Sequence, residues 1–295
     1  MELKSLTVFT PTYNRAYCLP RCYESLCRQT SKDFRWLVID DGSSDNTHEL
    51  LKVWIKEGII PIDYVYQENQ GMHGAHNTAY KNISTKYNVC IDSDDYMPDN
   101  SVEIILKNTR DLSETHAGLV GLDADTSGNI IGNKIPAHWT ECSYARLYHN
   151  VKGDKKLVYK TKIVKEYPEY PLFKGERFVP LGYLYYLIDQ SYKLKPINEV
   201  LASVDYQEDG STRNIYRQYM LNPRGFAFTR ISAINLPLGL KVRLKNAIHL
   251  VSCAILTKDL KLLKESKKPM LMLLAFPFGL LLNVYIRIRV SAKKA

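Results

Sequence analysis

The stretch that decides the fold is Tyr87-Asn88-Val89-Cys90-Ile91-Asp92-Ser93-Asp94-Asp95-Tyr96, a short apolar run that ends in a cluster of carboxylates. The apolar part predicts a buried strand over Val89–Ile91. Because side chains alternate along a strand, Asp92 and Asp94 project to one side and Ser93 to the other if the extended conformation continues. Two carboxylates that face one point favour a shared divalent cation, which can in turn hold a diphosphate. The stretch therefore predicts a strand that brings a metal-binding pair to the edge of a sheet.

Two other interpretations of the carboxylate cluster exist. One is a polar turn before a helix, with Asp99 or Asn100 as the N-cap, and this alternative stays open. The other is an EF-hand loop, because Asp92, Asp94 and Glu103 fall at loop positions one, three and twelve. The EF-hand is rejected, since Tyr96 and Met97 stand where it needs an oxygen ligand and a glycine.

Strands and helices alternate on both sides of this stretch. Apolar, β-rich runs predict strands at Leu6–Thr10, Phe34–Ile39, Ile62–Gln67 and Gly118–Gly121, and helical patterns predict helices at 21–29, 47–56 and 75–83. Such alternation indicates right-handed crossovers and a mainly parallel α/β sheet flanked by helices. Ligands bind beyond the carboxyl ends of such strands, so each strand end is a candidate ligand position.

Three further strand ends carry polar groups suited to a nucleotide. They are Thr10-Pro11-Thr12-Tyr13-Asn14-Arg15 after the first strand, Asp41 after the second, and Asn69, Gly71 and Gly74 after the third. A carboxylate can accept hydrogen bonds from a base or a ribose, and glycines let the backbone approach a ligand. Each segment is also an ordinary turn sequence. Four of them at one sheet edge favour a nucleotide site.

Net charge is concentrated in the last part of the chain. The whole chain of 295 residues carries +9. From Lys241 onward twelve Lys or Arg residues stand against two acids, a net of +10, so the first 240 residues carry 9 − 10 = −1. This distribution argues against a nucleic-acid partner for the catalytic part. The six cysteines form no Cys-x-x-Cys pair, and no secretory signal opens the chain, so we expect reduced thiols and a cytosolic catalytic part.

The four polar segments, taken in order, resemble the consecutive signatures of family 2 glycosyltransferases. They are Thr10–Arg15, Ile39–Asp45, Gly71–Asn77 and Asp92–Asp95. The resemblance implies a GT-A fold, a nucleotide-diphosphate sugar donor, a Mg²⁺ or Mn²⁺ ion and an inverting transfer. Carried over by position, it implies that Thr10, Pro11 and Tyr13 line the nucleotide pocket, that Asp41 reads the base, and that Asp92 and Asp94 contact ribose and hold the metal. The predicted nucleotide-sugar site also includes Arg15, Asn69, Gly71, His76, Asn77 and Ser93 from the same segments, and Arg213 of the loop 206–213 as a candidate phosphate contact. His76 stands where the family often has an arginine.

An inverting transfer needs a base for the acceptor proton. Phe173–Leu181 resembles the acceptor-side segment of the family, but many relatives have an acid where this chain has Leu181. Glu176 is the nearest carboxylate and the first candidate, and Asp189 and Asp209 are the reserves. The structural alternative is a surface ion pair of Glu176 with Arg177 or Lys174. The chain has no Gln-x-x-Arg-Trp motif, which favours single-sugar transfer over processive transfer.

The tyrosine-rich segment 159–224 has two interpretations, a sugar-stacking groove or a plain aromatic core. We predict a catalytic domain over 1–225, with a nucleotide-sugar part at about 1–120 and an acceptor part at about 121–225. Residues 226–295 are the predicted tail.

The tail combines an amphipathic pattern over 242–263 with an apolar run over 270–286 between cations. Residues 241–295 therefore predict a peripheral or re-entrant anchor on an anionic membrane surface, at the cytoplasmic face of the cell membrane. The alternative is a buried helical pair that packs on the catalytic domain or on a partner subunit, for example in a homo-oligomer.

These observations predict an enzyme that adds one sugar to a glycan or lipid-linked acceptor during surface polysaccharide synthesis. A nucleotidyltransferase could use the same aspartate pair and metal. The third hypothesis is a non-catalytic nucleotide-sugar-binding subunit at the membrane. It stays open because this chain has Leu181 where many relatives have an acid.

Overall fold

The computed structural model describes residues 4–205, 207 and 214–292, and the chain divides into two compact units. Unit 1 comprises residues 1–70, 74–169 and 184–207. Unit 2 comprises residues 71–73, 170–183 and 208–295.

Unit 1 is built on one seven-stranded sheet. Its strands are β1 (Leu6–Thr12), β2 (Phe34–Asp40), β3 (Ile62–Tyr66), β4 (Tyr87–Cys90), β5 (His116–Asp125), β6 (Lys155–Lys160) and β7 (Lys193–Val204), in the order β3-β2-β1-β4-β6-β5-β7. Only β6 runs antiparallel to its neighbours, and the other pairs are parallel. The predicted mainly parallel sheet is confirmed, and the carboxyl ends of six strands lie at one edge.

Helices connect these strands. They are α1 (Leu19–Cys27), α2 (Thr47–Glu57), α3 (Met72–Asn82), α4 (Ser101–Thr109), α5 (Tyr144–Asn150), α6 (Thr161–Lys165) and α7 (Gly182–Ile188). On one face of the sheet Trp36 lies near Tyr23 and Trp54, which stack at 4.3 Å between ring centroids. On the other face Phe9 packs among Ala75 and Ala79 of α3. Because both faces are covered, β1 and β2 are buried almost throughout.

Several elements differ from the prediction. α1 begins at Leu19 rather than residue 21, because Pro20 is tolerated in the first turn of a helix. β4 ends at Cys90, so the strand does not continue into the acid cluster. β5 runs on to Asp125 through sequence expected to form turns, since its end pairs with β7.

The tyrosines of unit 1 form an aromatic core. Tyr185 contacts both Tyr144 and Tyr159, with ring centroids 5.1 and 5.4 Å apart. Burial raises the pKa of all three phenols well above the usual value. For Tyr159 and Tyr185, which belong to the tyrosine-rich segment 159–224, the interpretation as an aromatic core holds.

Unit 2 contains α8 (Ile215–Leu221), α9 (Pro223–Asn235), α10 (Leu240–Thr257), α11 (Leu262–Glu265) and α12 (Pro269–Ala292). Its core includes Phe226 of α9, Leu250 and Val251 of α10, and Met272 of α12. A Cβ on Gly279 would lie 2.4 Å from the Cβ of Val251, so α12 approaches α10 at a glycine. The predicted domain boundary at 225/226 falls inside α9 and stays a prediction.

Candidate active site

Four loops meet at the carboxyl edge of the sheet in unit 1. Asn14, after β1, joins two of them. Its backbone N–H donates to Ser43 Oγ at 2.9 Å, and its Oδ1 accepts from the backbone N–H of Ser44 at 2.8 Å. Asn14 has a positive φ of 52°, a conformation that asparagine tolerates better than most residues. The loops after β1 and β2 are therefore held as one rim, and Tyr13 on this rim is 49% exposed.

Asp41 joins the loops after β2 and β3. Its Oδ1 accepts from Gln67 Nε2 at 2.7 Å and from the backbone N–H of Gln70 at 2.8 Å. Its own backbone N–H donates to the Thr12 carbonyl at 2.8 Å. The carboxylate of the neighbouring Asp40 accepts hydrogen bonds from the Tyr64 hydroxyl and from the Ser43 N–H. Asp41 is thus fixed at the junction of three loops.

The acids after β4 lie in a turn rather than in an extended strand. The Asp95 N–H donates to the Asp92 carbonyl at 3.0 Å, which closes the turn. Asp92 and Asp94 are nevertheless both partly exposed, while Ser93 and Asp95 are buried. A turn thus replaces the expected strand, and the shared metal site of Asp92 and Asp94 stays a prediction. We call residues 92–95 the acid turn.

A buried ammonium lies behind the acid turn. Lys156 Nζ at the start of β6 is 3.8 Å from Asp95 Oδ2 and 4.0 Å from Asp123 Oδ1 at the end of β5. Burial raises the pKa of Asp95 to about 8 and that of Asp123 to about 6, although Lys156 acts in the opposite direction. Burial would lower the pKa of Lys156, but Asp123 and Asp95 raise it overall. Sequence analysis missed this network, because its three members lie far apart in the chain.

Arg21 of α1 holds the acid turn from another side. Its guanidinium donates to the Asp94 carbonyl at 2.6 Å and pairs with Asp205 Oδ2 at 2.9 Å. It also lies over the ring of Tyr96, 5.1 Å from the centroid. The Asp205 N–H donates to Asp95 Oδ1 at 3.3 Å. The end of β7 is thereby connected to the acid turn.

The acid turn fits a divalent cation in its donor chemistry. Carboxylate oxygens are the ligands that Mg²⁺ and Mn²⁺ prefer. Five carboxylates gather here, on Asp92, Asp94, Asp95, Asp123 and Asp205, against the two cations Arg21 and Lys156. Within the described residues, no three His, Cys, Asp or Glu side chains are arranged to hold a metal ion by themselves. A metal bound by Asp92 and Asp94 would therefore take further ligands from substrate or water.

Several predicted contact residues are buried in unit 1. Thr10 is fully buried, and its hydroxyl accepts from Trp36 Nε1 at 2.9 Å. His76 is fully buried against Phe9, with ring centroids 5.1 Å apart, and Asn77 and Ser93 are also buried. The side chains of Thr10 and His76 therefore contribute to the core beneath the rim.

Gly71, in unit 2, meets the backbone of the predicted acceptor-side segment. It has φ +81°, and a Cβ there would lie 1.9 Å from the Arg177 carbonyl oxygen. Nearby, the Val179 N–H donates to His73 Nδ1 at 3.3 Å. The glycine predicted to let backbone approach a ligand thus admits backbone of the protein itself.

Glu176 binds the first turn of α9. Its Oε1 accepts from the Arg224 N–H at 3.0 Å and its Oε2 from the Gly225 N–H at 2.8 Å. A helix leaves these first N–H groups without partners inside the helix, and a carboxylate there also complements the helix dipole. The side chain is 9% exposed. Glu176 therefore has a structural role, different from the predicted surface ion pair, and its catalytic role stays a prediction.

Asp189 makes the same kind of contact in unit 1. Its two oxygens accept from the N–H groups of Tyr144 at 2.6 Å and Ala145 at 2.7 Å, at the start of α5. Burial raises the pKa of Asp189. The third base candidate, Asp209, and the predicted phosphate contact Arg213 lie outside the described residues.

Comparison with known proteins identifies what this chain is similar to. The sequence model of glycosyl transferase family 2 matches residues 7–159, just over half of the chain. Glycosyltransferase GlyA of Streptococcus pneumoniae serotype 4 is 37% identical over 102 residues, 35% of this chain and 14% of the relative. Chondroitin synthase of Escherichia coli is 32% identical over 129 residues, 43% of this chain and 19% of the relative. The chain thus spans about a fifth or less of the length of these relatives.

Solved structures share the fold. TarS residues 1–349 from S. aureus, in complex with UDP-GlcNAc, superimpose with a TM-score of 0.58 at 16% identity, covering 84% of this chain and 71% of that one. The mannosyltransferase PcManGT from Pyrobaculum calidifontis, in complex with GDP-Man and Mn²⁺, gives 0.58 at 15% identity, covering 96% and 88%. At these identities the likeness shows the fold alone.

Proposed function

Because the chain belongs to glycosyl transferase family 2, we propose that it transfers one sugar from a nucleotide-diphosphate sugar to a glycan or lipid-linked acceptor. The proposed reaction is metal-dependent and inverting, and it serves surface polysaccharide synthesis. The observation that carries the proposal is the joining of the rim, Asp41 and the acid turn at one sheet edge of unit 1. Neighbours of the same fold that are named with UDP-GlcNAc or GDP-Man support the donor class.

Each group at this edge has a proposed task. The half-exposed ring of Tyr13 stacks on the base, and Asp41 accepts from the base. Asp92 contacts ribose, and Asp94 with Asp92 holds Mg²⁺ or Mn²⁺. When bound, the metal supplies positive charge that stabilises the leaving diphosphate. Arg21 and Lys156 keep the acid turn in place.

The test is a screen of nucleotide sugars with the purified chain, with and without Mn²⁺, in which the released product is identified. Release of a nucleoside diphosphate supports the proposal. Release of pyrophosphate would assign nucleotidyl transfer instead. Donor binding without transfer or hydrolysis would favour a non-catalytic binding subunit.

Glu176 remains the first proposed base, and its structural role makes the test more demanding. Glu176→Gln keeps one acceptor oxygen for α9 but removes the basic group. If Glu176 is the base, turnover per folded molecule falls by about a hundredfold or more while donor affinity changes little. If Glu176 only holds α9, melting temperature falls and turnover per folded molecule is kept. Asp189→Asn and Asp209→Asn are the matched comparisons.

We also propose that unit 2 binds an anionic membrane surface through α12, at the cytoplasmic face. α12 has 24 residues and contains an 18-residue stretch with a mean hydropathy of 1.9, so it is long and apolar enough to cross a membrane by length and composition. Its buried residues recur every three or four positions, at Met272, Ala275, Gly279, Asn283 and Ile286. Large apolar side chains between 42% and 77% exposed cover the rest: Met270, Leu273, Leu274, Phe276, Phe278, Leu280, Leu281, Val284, Tyr285 and Ile288.

The packing of α12 favours a position in the membrane plane. Asn283 Nδ2 donates to the Ser252 carbonyl at 3.2 Å, and Gly279 lies against Val251, so α12 is attached along α10. A spanning α12 would draw Arg243 and the other cations of α10 toward lipid, at about 2.5–3.5 kcal/mol each near the bilayer centre. Flotation with anionic and neutral liposomes tests the proposal. Binding is expected with anionic vesicles and only partial release at high salt, because salt does not screen the apolar contribution.

A further inference from the structure

A second concave site lies in unit 1 at the opposite end of β4 from the acid turn. It is a pocket of about 410 Å³. Three segments form it: 83–87 between α3 and β4, 110–114 after α4, and 160–165 where β6 leads into α6. From Tyr87 to Asp92 the chain advances five residues, roughly 17 Å in extended form. The pocket is therefore separate from the candidate active site.

Positive charge dominates the lining. The charged lining residues are Lys86, Arg110, Lys160, Lys162, Lys165 and Glu114. The first 240 residues carry a net charge of −1, so five cations against one carboxylate is a local concentration. The single ion pair, Lys162 with Glu114 at 3.5 Å, joins side chains that are 67% and 88% exposed. Pairs of this kind contribute little and do not neutralise the pocket.

The other cations contact neutral groups. Lys160 Nζ donates to the Ser113 carbonyl at 2.7 Å, and Lys165 Nζ to the Lys81 carbonyl at 3.5 Å. Lys86 Nζ lies 5.3 Å from the centroid of the Tyr87 ring. In the part of the chain that the structure describes, no carboxylate lies within ion-pair distance of these three lysines or of Arg110. Burial lowers the pKa of Lys160, and Lys162 and Lys86 lower it further.

Helix ends account for only part of this charge. Cations are favourable near a helix C-terminus, and Arg110 follows the end of α4 directly. Lys162 and Lys165 lie in the last turn of the short helix α6, where the same effect applies. Lys160 is the last residue of β6 and Lys86 directly precedes β4, so no helix C-terminus explains these two. The cations converge from separate elements on one cavity.

We propose that this pocket binds the phosphate group of a phosphate-bearing ligand. Lysine ammonium groups and the guanidinium of Arg110 form charge-assisted hydrogen bonds with phosphate oxygens. The cavity volume lies in the range of small-ligand sites, about 300–1,000 Å³. The phosphate belongs either to a soluble metabolite or to a lipid headgroup, and the same side chains serve both.

The experiment uses the full chain and a charge-removing triple variant, Lys86→Gln with Arg110→Gln and Lys165→Gln. The control, Lys52→Gln with Lys56→Gln and Lys134→Gln, loses the same charge at exposed positions elsewhere. The soluble probe is inorganic pyrophosphate with calorimetry and hydrogen exchange, and the lipid probe is vesicles that contain phosphatidic acid. A charge-keeping variant, Lys86→Arg with Arg110→Lys and Lys165→Arg, separates charge from folding.

We expect at least one probe to protect segments 83–87 and 160–165 from exchange. We expect the charge-removing variant to bind that probe at least tenfold more weakly than the control or the charge-keeping variant. Dependence confined to pyrophosphate assigns a soluble ligand, and dependence confined to vesicles assigns a headgroup. Equal binding by the charge-removing and control variants to both probes, or absence of protection at both segments, overturns the proposal.

Discussion

Asp92 and Asp94 lie in a turn that contacts to backbone carbonyls hold in place. The Asp95 N–H donates to the Asp92 carbonyl and closes the turn, and the Arg21 guanidinium donates to the Asp94 carbonyl. The sequence predicted the pairing from strand alternation, which β4 does not sustain beyond Cys90. The turn still leaves Asp92 and Asp94 partly exposed and buries Ser93 and Asp95. Their pairing around a metal ion stays a prediction.

Asp94→Asn tests the metal assignment at this scale. The change removes a charge that holds the ion, so metal-dependent donor affinity is expected to fall and transfer to drop by at least about a hundredfold. Calorimetry with nucleotide, with and without Mn²⁺, measures the affinity. Asp111→Asn, an exposed acid after α4, is the matched control. Unchanged metal-dependent affinity would remove Asp94 from the site.

Gly71→Ala tests a close approach of backbone to backbone in unit 2. Gly71 and Gly175 share a φ of +81°, but a Cβ at Gly71 meets the Arg177 carbonyl at 1.9 Å while one at Gly175 meets nothing within 4 Å. Gly175→Ala therefore costs only left-handed backbone strain, about 1 kcal/mol. Gly71→Ala should cost at least about twice that. Equal free energies of unfolding by denaturant titration for the two variants would contradict the close approach.

At the scale of elements, local sequence predicted most of unit 1. Apolar runs located β1 to β4, and the helices α1 to α3 were found within two or three residues of their ends. Pairing between distant elements was not predictable in this way. β6 lies between β4 and β5 and runs antiparallel to both, and the sequence of Lys155–Lys160 does not predict which strands it pairs with. The buried charges of Asp95, Asp123 and Lys156 depend on that insertion, so they were missed.

Lys156→Met tests the connection between β5, β6 and the acid turn. Removing one partner leaves Asp95 and Asp123 buried without a counter-charge, which costs on the order of 3–5 kcal/mol. We expect a large fall in melting temperature and weaker Mn²⁺-dependent nucleotide binding. Adding Asp123→Asn to Lys156→Met should recover part of the stability. Lys152→Met, at an exposed position just before β6, is the control, and an equal loss in both single variants would contradict the buried pairing.

At the scale of the whole molecule, the charge distribution predicted where the basic C-terminal part begins, but it did not predict how the helices of that part pack. Residues 226–295 are expected to form a tail distinct from the catalytic part, and the simplest test of that expectation is truncation after Arg230. The structure shows α9, α10 and α12 sharing one core, with Glu176 holding the first turn of α9. That truncation would cut α9 and expose Phe226. Substitutions on the outer surface of α12 are the better experiment, because they leave this core intact.

The last prediction is that Leu273→Glu, Leu281→Glu and Ile288→Glu together abolish flotation with anionic liposomes. The three side chains are 71%, 67% and 61% exposed, so acids there cause little strain in the folded chain. A fully inserted apolar side chain contributes about 1.5–3 kcal/mol to the free energy of membrane binding. Each change removes such a side chain and adds a negative charge that the anionic membrane repels. The control, Val53→Glu with Ile55→Glu and Ile59→Glu, makes the same change at exposed positions of unit 1. Donor affinity and melting temperature should match in both variants. Equal flotation of the two would show that α12 is not the membrane contact, and a changed oligomeric state in the α12 variant alone would assign its outer surface to a second copy of the chain.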